Sequence, residues 1–229
     1  MNDLTTIANK YHNDKGTSGC PNPLHFTTVY ADYFEKIRPN NLNILEIGLG
    51  SGSSVVMWQE YFPNAKINVM DIDPTYNCFH GAQFDLNRVT LSKGDQSNRK
   101  QLKALCNNND LFDIIIDDGG HMMSHQQISL GALFPHLAQD GLYFIEDLHT
   151  SFWPHNGYSS LYGTDLDINE DRSNTTIRAI ENYIKTKKME SLFLARDEND
   201  YLTNNITDCR LFELPETEYG PNRLALFKK

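Results

Sequence analysis

Positive charge is scarce in this chain. Among 229 residues, 20 are Lys or Arg and 30 are Asp or Glu, a formal charge of −10. Nucleic-acid affinity rests on clustered cations that neutralise phosphates. Attachment to an anionic lipid surface needs a polybasic patch. Both partner classes are therefore excluded by expectation. Long apolar runs are missing too, and none approaches the ~20 residues of a membrane-spanning helix. Residues 1–10 lack the apolar segment of a secretory signal. Cysteine is sparse: Cys20, Cys78, Cys106 and Cys209 are scattered, with no C-x-x-C pair. That excludes a zinc knuckle or a thioredoxin-type motif and suits reduced thiols in a cytoplasmic protein. Internal repeats and low-complexity segments are absent as well.

What is present is alternation. His25 to Arg38 carries Val29, Tyr33, Phe34 and Ile37 at helical spacing, and Pro39 ends the pattern. A short apolar run at 43–47 stops at glycines, and Val55 to Tyr61 is helical. Residues 66–70 read as a second strand and 89–91 as a weak third. Leu111 to Ile116 is nearly continuous in apolar residues, as expected of a strand buried on both faces of a parallel sheet. His125 to Leu137 reads as a helix and 141–145 as a fifth strand. Thr175 to Lys188 forms a further helix with Ile177, Ile180 and Ile184 on one face. Ser191 to Ala195 and Leu224 to Phe227 are apolar enough to be closing strands. Strands alternating with helices predict a doubly wound α/β sheet, whose ligands gather at the C-terminal strand edge.

The turns after the strands carry the chemistry. Glu46, Gly48, Gly50, Gly52 and Ser53 follow the first strand. Glycines let a backbone turn sharply and approach a ligand closely. The third glycine falls one place earlier than in the dinucleotide fingerprint G-x-G-x-x-G. A carboxylate at Glu46 would repel a pyrophosphate but suits the amino group of a methionine moiety, so the pattern favours S-adenosylmethionine over NAD. Asp71 and Asp73 end the second strand, where an acidic side chain accepts hydrogen bonds from ribose hydroxyls. Asp95 and Gln96 end the third, at the place of adenine recognition.

Asp117 and Asp118 follow the most apolar strand, and Glu146 and Asp147 follow its neighbour. Two acidic pairs side by side repel unless a cation joins them. Oxygen-only donors favour Mg²⁺ or Mn²⁺ over zinc. His121, three residues beyond Asp118, is near enough to act as general base. Asp117 is read as orienting the methionine amino group or a metal-bound water. His121 and His125 share i, i+4 spacing, but Met122 stands where a zinc protease carries Glu. His149 is either a substrate contact or a plain loop residue.

Several of these motifs occur in order: 45–52, 58–63, 71–74, 94–96, 115–121 and 143–151. Together they resemble the metal-dependent class I O-methyltransferases of antibiotic sugar tailoring, the macrocin and mycinamicin O-methyltransferase family. Tyr11 to Gly16 and His25 to Tyr30 resemble that family's lead-in. The resemblance implies a Rossmann-like, mostly parallel sheet with an antiparallel C-terminal strand. It implies Asp118, Glu146 and Asp147 as metal ligands and His121 as catalytic base. It also implies a cofactor site of Asp71 with the glycine turn, to which Thr27 is assigned. Gly120 departs from the family, which commonly has Ser there.

On this reading residues 1–40 are a lead-in that helps cover cofactor and substrate, and residues 41–229 are the methyltransferase domain. An acceptor loop lies around 149–173, where Phe152, Trp153, Tyr158, Tyr162, Asp165 and Asp167 form an acceptor wall or pack on a partner subunit of a homo-oligomer. The expected reaction is Mg²⁺-assisted methyl transfer to a sugar hydroxyl of a glycosylated metabolite, nucleotide sugar or surface glycan. The alternatives are a phosphate, phosphoramidate or catechol oxygen as acceptor, and a non-catalytic cofactor-binding protein.

Overall fold

The computed structural model describes residues 1–75, 83–106, 111–152, 174–218 and 220–229. Cys78 and the acceptor-loop residues beyond Phe152 lie outside them. Along the chain come α1 (Asp3–Lys10), α2 (Phe26–Phe34), β1 (Asn43–Ile47), α3 (Ser53–Tyr61), β2 (Lys66–Asp71), β3 (Val89–Lys93) and α4 (Arg99–Ala104). β4 (Phe112–Asp117), α5 (Met123–Leu133) and β5 (Leu137–Ile145) follow, the last reached through a single 3₁₀ turn at Phe134–His136. The chain closes with α6 (Thr176–Thr186), α7 (Arg196–Asn205), β6 (Asp208–Glu213) and β7 (Arg223–Lys228).

The sheet has seven strands in the order β3-β2-β1-β4-β5-β7-β6. β1 to β5 pair in parallel, and β7 runs antiparallel between β5 and β6. Alternate residues of one strand serve opposite faces. In β4, Ile114 and Ile116 pack toward α1, α2 and α3, while Ile115 packs toward α5 and α6; Phe112, before an irregularity in the pairing with β5, joins Ile115. Phe144 and Tyr143 divide in the same way in β5. Both faces are covered, which is why these strands carry no polar alternation. An aromatic cluster of Tyr30, Phe34, Trp58, Phe62 and Phe144 fills the first layer, with Tyr30 and Phe144 ring centroids 4.7 Å apart at 90°.

Three helices escaped the reading of periodicity. In α1 only Leu4, Ile7 and Ala8 supply an apolar stripe, and the helix is started by Asn2, whose side chain accepts the Thr5 amide at 2.7 Å. α4 and α7 are polar and are joined by Arg99, which donates from Nε to Glu198 at 2.8 Å. The stretch expected to be a strand at Ser191–Ala195 is a turn leading into α7. The strand belongs instead to Asp208–Glu213, an edge with polar residues on its open side. In α6, Ile177 and Ile180 are buried as expected, but Ile184 is exposed and Tyr183 takes the inward place.

Candidate active site

The parallel strands end together, and backbone hydrogen bonds carry their alignment into the turns beyond. Gly48 N donates to Met70 O at 2.8 Å, Asp118 N to Ile47 O at 2.9 Å, and Glu146 N to Asp117 O at 3.0 Å. The turns after β1, β2, β3, β4 and β5 therefore form one rim. A cavity of about 550 Å³ opens there, lined at one end by Gly48–Ser51, Ser53, Asp71 and Asp95 and at the other by Asp118, His121 and Asp147. His12, Asn13 and Asp14 from the N-terminal segment line it too.

At the first end, Gly48 has φ of +96°, and a Cβ there would lie 2.0 Å from the Asp118 carbonyl oxygen. Only glycine allows the turns after β1 and β4 to touch. Asp71 faces the cavity with both oxygens engaged: Oδ2 accepts the Leu49 amide at 2.7 Å and Oδ1 the Asp73 amide at 2.8 Å. It thus braces the glycine turn. Asp95 accepts the Ser97 amide and hydroxyl, which hold its carboxyl below the usual range.

Several residues assigned to the cofactor are placed elsewhere. Glu46 is fully buried beneath the glycine turn, where its Oε2 accepts the Ser54 hydroxyl at 3.0 Å. Burial pushes its carboxyl up to about 7, against the pull of Lys15. Thr27 is buried against α1, sharing a 2.9 Å hydrogen bond with Thr5. Asp73 is turned to Thr75. Gly52 serves the turn into α3 in a left-handed conformation, with φ of +77°. None of these four lines the cavity.

Asp117 is placed differently again. The sequence suggests that it orients the methionine amino group or a metal-bound water. It is fully buried, and both oxygens are taken: Gln96 donates to Oδ1 at 2.5 Å and the Ser129 hydroxyl donates to Oδ2. Alternation explains the difference. Asp117 is the last residue of β4 and faces α5, while Asp118 is the first residue to leave the strand and faces the cavity. Gln96 lines the cavity by its edge, but its side chain works as a clamp, since Oε1 also accepts the Gly120 amide at 2.8 Å.

At the acidic end, ligand atoms of Asp118, His121 and Asp147 all lie within 4.8 Å of one another. His121 Nε2 is 3.4 Å from Asp147 Oδ2 and 4.0 Å from Asp118 Oδ1. His121 and Asp147 both adopt left-handed backbone conformations, with φ of +53° and +52°. Such conformations are uncommon for residues with a side chain and concentrate at functional sites. Thr150 holds the first in place by donating to the His121 carbonyl at 3.0 Å. Burial pushes the Asp147 carboxyl up to about 6, opposed by His121. Among the described residues, the buried Asp147 Oδ1 accepts no hydrogen bond, with His149 Nδ1 3.7 Å away, which suits a cation. The donor set of this chain thus fits a hard divalent ion. Burial pushes His149, beside Asp147, down to about 4, which makes it a neutral neighbour at physiological pH.

Glu146 does not share this open position. It is fully buried, with Oε1 accepting the Tyr30 hydroxyl and Oε2 accepting Lys15 Nζ at 2.7 Å. Lys15 also donates to Asp118 Oδ2. Lys15 and Tyr30 were not singled out as functional residues from the sequence. Both stand inside the lead-in motifs, Lys15 in Tyr11 to Gly16 and Tyr30 in His25 to Tyr30, with no role attached. Nothing in linear spacing places either beside Glu146.

These features are those of the class I methyltransferase fold: a seven-stranded sheet with a reversed β7, and a glycine turn facing an acidic rim. No protein-family model matches the chain. Among curated proteins it is 34% identical over 160 residues to mycinamicin VI 2''-O-methyltransferase of Micromonospora griseorubida, covering 66% of this chain and 37% of that protein. It is 36% identical over 166 residues to demethylmacrocin O-methyltransferase of Streptomyces fradiae, covering 69% and 39%. The matched segments thus span well under half the length of these relatives, and the whole chain about half. The solved MycE methyltransferase of the mycinamycin pathway, in complex with Mg, SAH and mycinamycin VI, superposes with a TM-score of 0.72 at 27% identity. That match covers 99% of this chain and 54% of the other. By sequence and by fold, the chain is similar to the mycinamicin and macrocin O-methyltransferases. Among the described residues no helix is long and apolar enough to cross a membrane.

Proposed function

We propose that this chain transfers a methyl group from S-adenosylmethionine to a sugar hydroxyl of a glycosylated small molecule, assisted by Mg²⁺ or Mn²⁺. The observation that carries this reading is the single cavity that joins the glycine turn and Asp71 to Asp118, His121 and Asp147. A donor site and a base beside cation ligands have no use together in a binding module. The relatives' names point to the same chemistry: rhamnosyl and olivosyl acceptors are named for three of them, and the MycE complex holds Mg and SAH.

In this proposal Gly48, Gly50 and Ser53 cradle the methionine moiety, while Asp71 and Asp95 face the nucleoside. Asp118 and Asp147 would hold the divalent cation, with Glu146 as a third ligand. Bound S-adenosylmethionine supplies an electrophilic methyl carbon, and a bound divalent ion supplies a Lewis acid that acidifies the acceptor hydroxyl. His121 takes the hydroxyl proton on Nε2, a contribution typically of about 10²–10⁴-fold. Asp147, 3.4 Å from that nitrogen, stabilises the imidazolium that forms. The cavity walls hold acceptor and donor in line, and the N-terminal segment at His12–Asp14 covers the opening. The enzyme works in the cytoplasm, without nucleic acid or membrane as partner.

The test is incubation of the purified chain with methyl-labelled S-adenosylmethionine and a panel of glycosylated, catechol and phosphate acceptors, with Mg²⁺ or excess EDTA. Label in a sugar O-methyl group, dependent on the metal, is the expected result. Transfer only to non-sugar oxygens, or full transfer in EDTA, overturns the proposal.

A further inference from the structure

Lys15 is a buried cation for which the proposed reaction has no use. Its side chain is 1% exposed, yet its Nζ reaches two carboxylates on the ends of neighbouring strands, Asp118 after β4 and Glu146 after β5. The backbone around it is anchored. Lys15 N donates to Asn13 Oδ1 at 2.9 Å, Thr27 N donates to Lys15 O at 2.9 Å, and Asn13 Nδ2 donates to Ser53 Oγ at 2.8 Å. Burial opposes the charge on the ammonium, and the Asp118 and Glu146 carboxylates outweigh it and hold the pKa above the ordinary value. The cation is therefore delivered by the chain itself, at the place where two acidic strand ends would otherwise repel.

This placement limits what a divalent ion can reach. With Tyr30 on Oε1 and Lys15 on Oε2, Glu146 has no oxygen left without a donor. Asp118 keeps Oδ1 toward His121, so the open set is Asp118, His121 and Asp147. An ammonium and a divalent ion in contact with the same carboxylate pair repel each other at short range in a buried site, so the two compete for it. For Glu146 to become a ligand, the ammonium must withdraw along its four-carbon stem. The carboxylate of Asp14, which lines the cavity and attracts Lys15, is an alternative partner.

We propose that Lys15 is an internal counter-cation: it holds Asp118 and Glu146 together in the metal-free protein and competes with the divalent ion for Glu146. The inference rests on the metal-binding part of the proposed function.

The experiment is calorimetric titration of the full chain with Mg²⁺ alone, in the wild type and in Lys15→Met and Lys15→Gln. The neutral variants are expected to bind Mg²⁺ at least about tenfold more tightly, and to melt at a lower temperature than wild type in EDTA. As a readout that needs no variant, the wild type labelled with ¹⁵N-lysine is titrated with Mg²⁺. The buried ammonium resonance seen in EDTA should be lost or displaced with the calorimetric midpoint. Equal or weaker Mg²⁺ binding by folded variants overturns the proposal and makes Lys15 a fixed support of the ligands. So does an ammonium signal that stays unchanged at saturating Mg²⁺. If no divalent ion binds the wild type or the variants, the metal reading itself fails and this inference falls with it.

Discussion

Gln96 Nε2 donates to Asp117 Oδ1 at 2.5 Å, and its Oε1 accepts the Gly120 amide at 2.8 Å. The turn after β3 thus holds the turn after β4 from both sides of one side-chain amide. Asp117 is fixed facing inward, which leaves Asp118 as the carboxylate that meets the cavity. The division of labour between two adjacent aspartates follows from this clamp and from strand alternation.

Asp118→Asn removes a charge from the open ligand set while keeping the side-chain shape. Mg²⁺ binding and methyl transfer should fall by about 10²-fold or more, while binding of S-adenosylhomocysteine stays near wild type because the glycine turn is untouched. Parallel titrations with metal and with cofactor product check this. Equal loss of both ligands would count against it.

Glu46→Gln tests the buried carboxyl beneath the glycine turn. Its folded pKa is raised from 4.5 to about 7. Between those values the folded state keeps a proton that the unfolded chain releases, so stability falls as pH rises through the window. The cost at pH 7.5 is at most about 3 kcal/mol. Unfolding free energies measured from pH 4.5 to 7.5 should slope downward in the wild type and flatten in the variant, which becomes the more stable of the two at the upper end. An unchanged slope would refute the assignment.

Gly48→Ala places a Cβ 2.0 Å from the Asp118 carbonyl oxygen at a backbone φ of +96°. The two turns must separate, at a cost of about 1–3 kcal/mol. Chemical denaturation should report the loss, and both Mg²⁺ and cofactor-product affinity should drop together, because one contact holds both halves of the site.

Gly120→Ser addresses the departure from the family pattern. A Cβ at this position would lie 2.3 Å from His125 Nδ1. The serine should destabilise the protein by about 1–3 kcal/mol, and His125→Ala should recover much of that loss. A double-mutant cycle measures the coupling. Strict additivity would show that the imidazole moves aside freely.

Much of this molecule is written linearly. The runs at 43–47, 66–70 and 112–116 are strands because their apolar residues serve two buried faces, and the acidic or glycine-rich residues that follow them mark the rim. The polar helices α1, α4 and α7 were not legible, since caps and ion pairs such as Arg99 with Glu198 stabilise them without a strong apolar stripe. The sequence by itself therefore determined the fold class and the order of the motifs around the sheet edge. Which of those residues face one another was decided only by the tertiary structure. Strand alternation turned Asp117 inward, burial removed Glu46 and Thr27 from the cavity, and packing of the lead-in brought Lys15 to Asp118 and Glu146 across 103 and 131 positions of sequence. An isolated strand end cannot reveal its counter-ion, because the charge that neutralises it arrives from the other side of the fold.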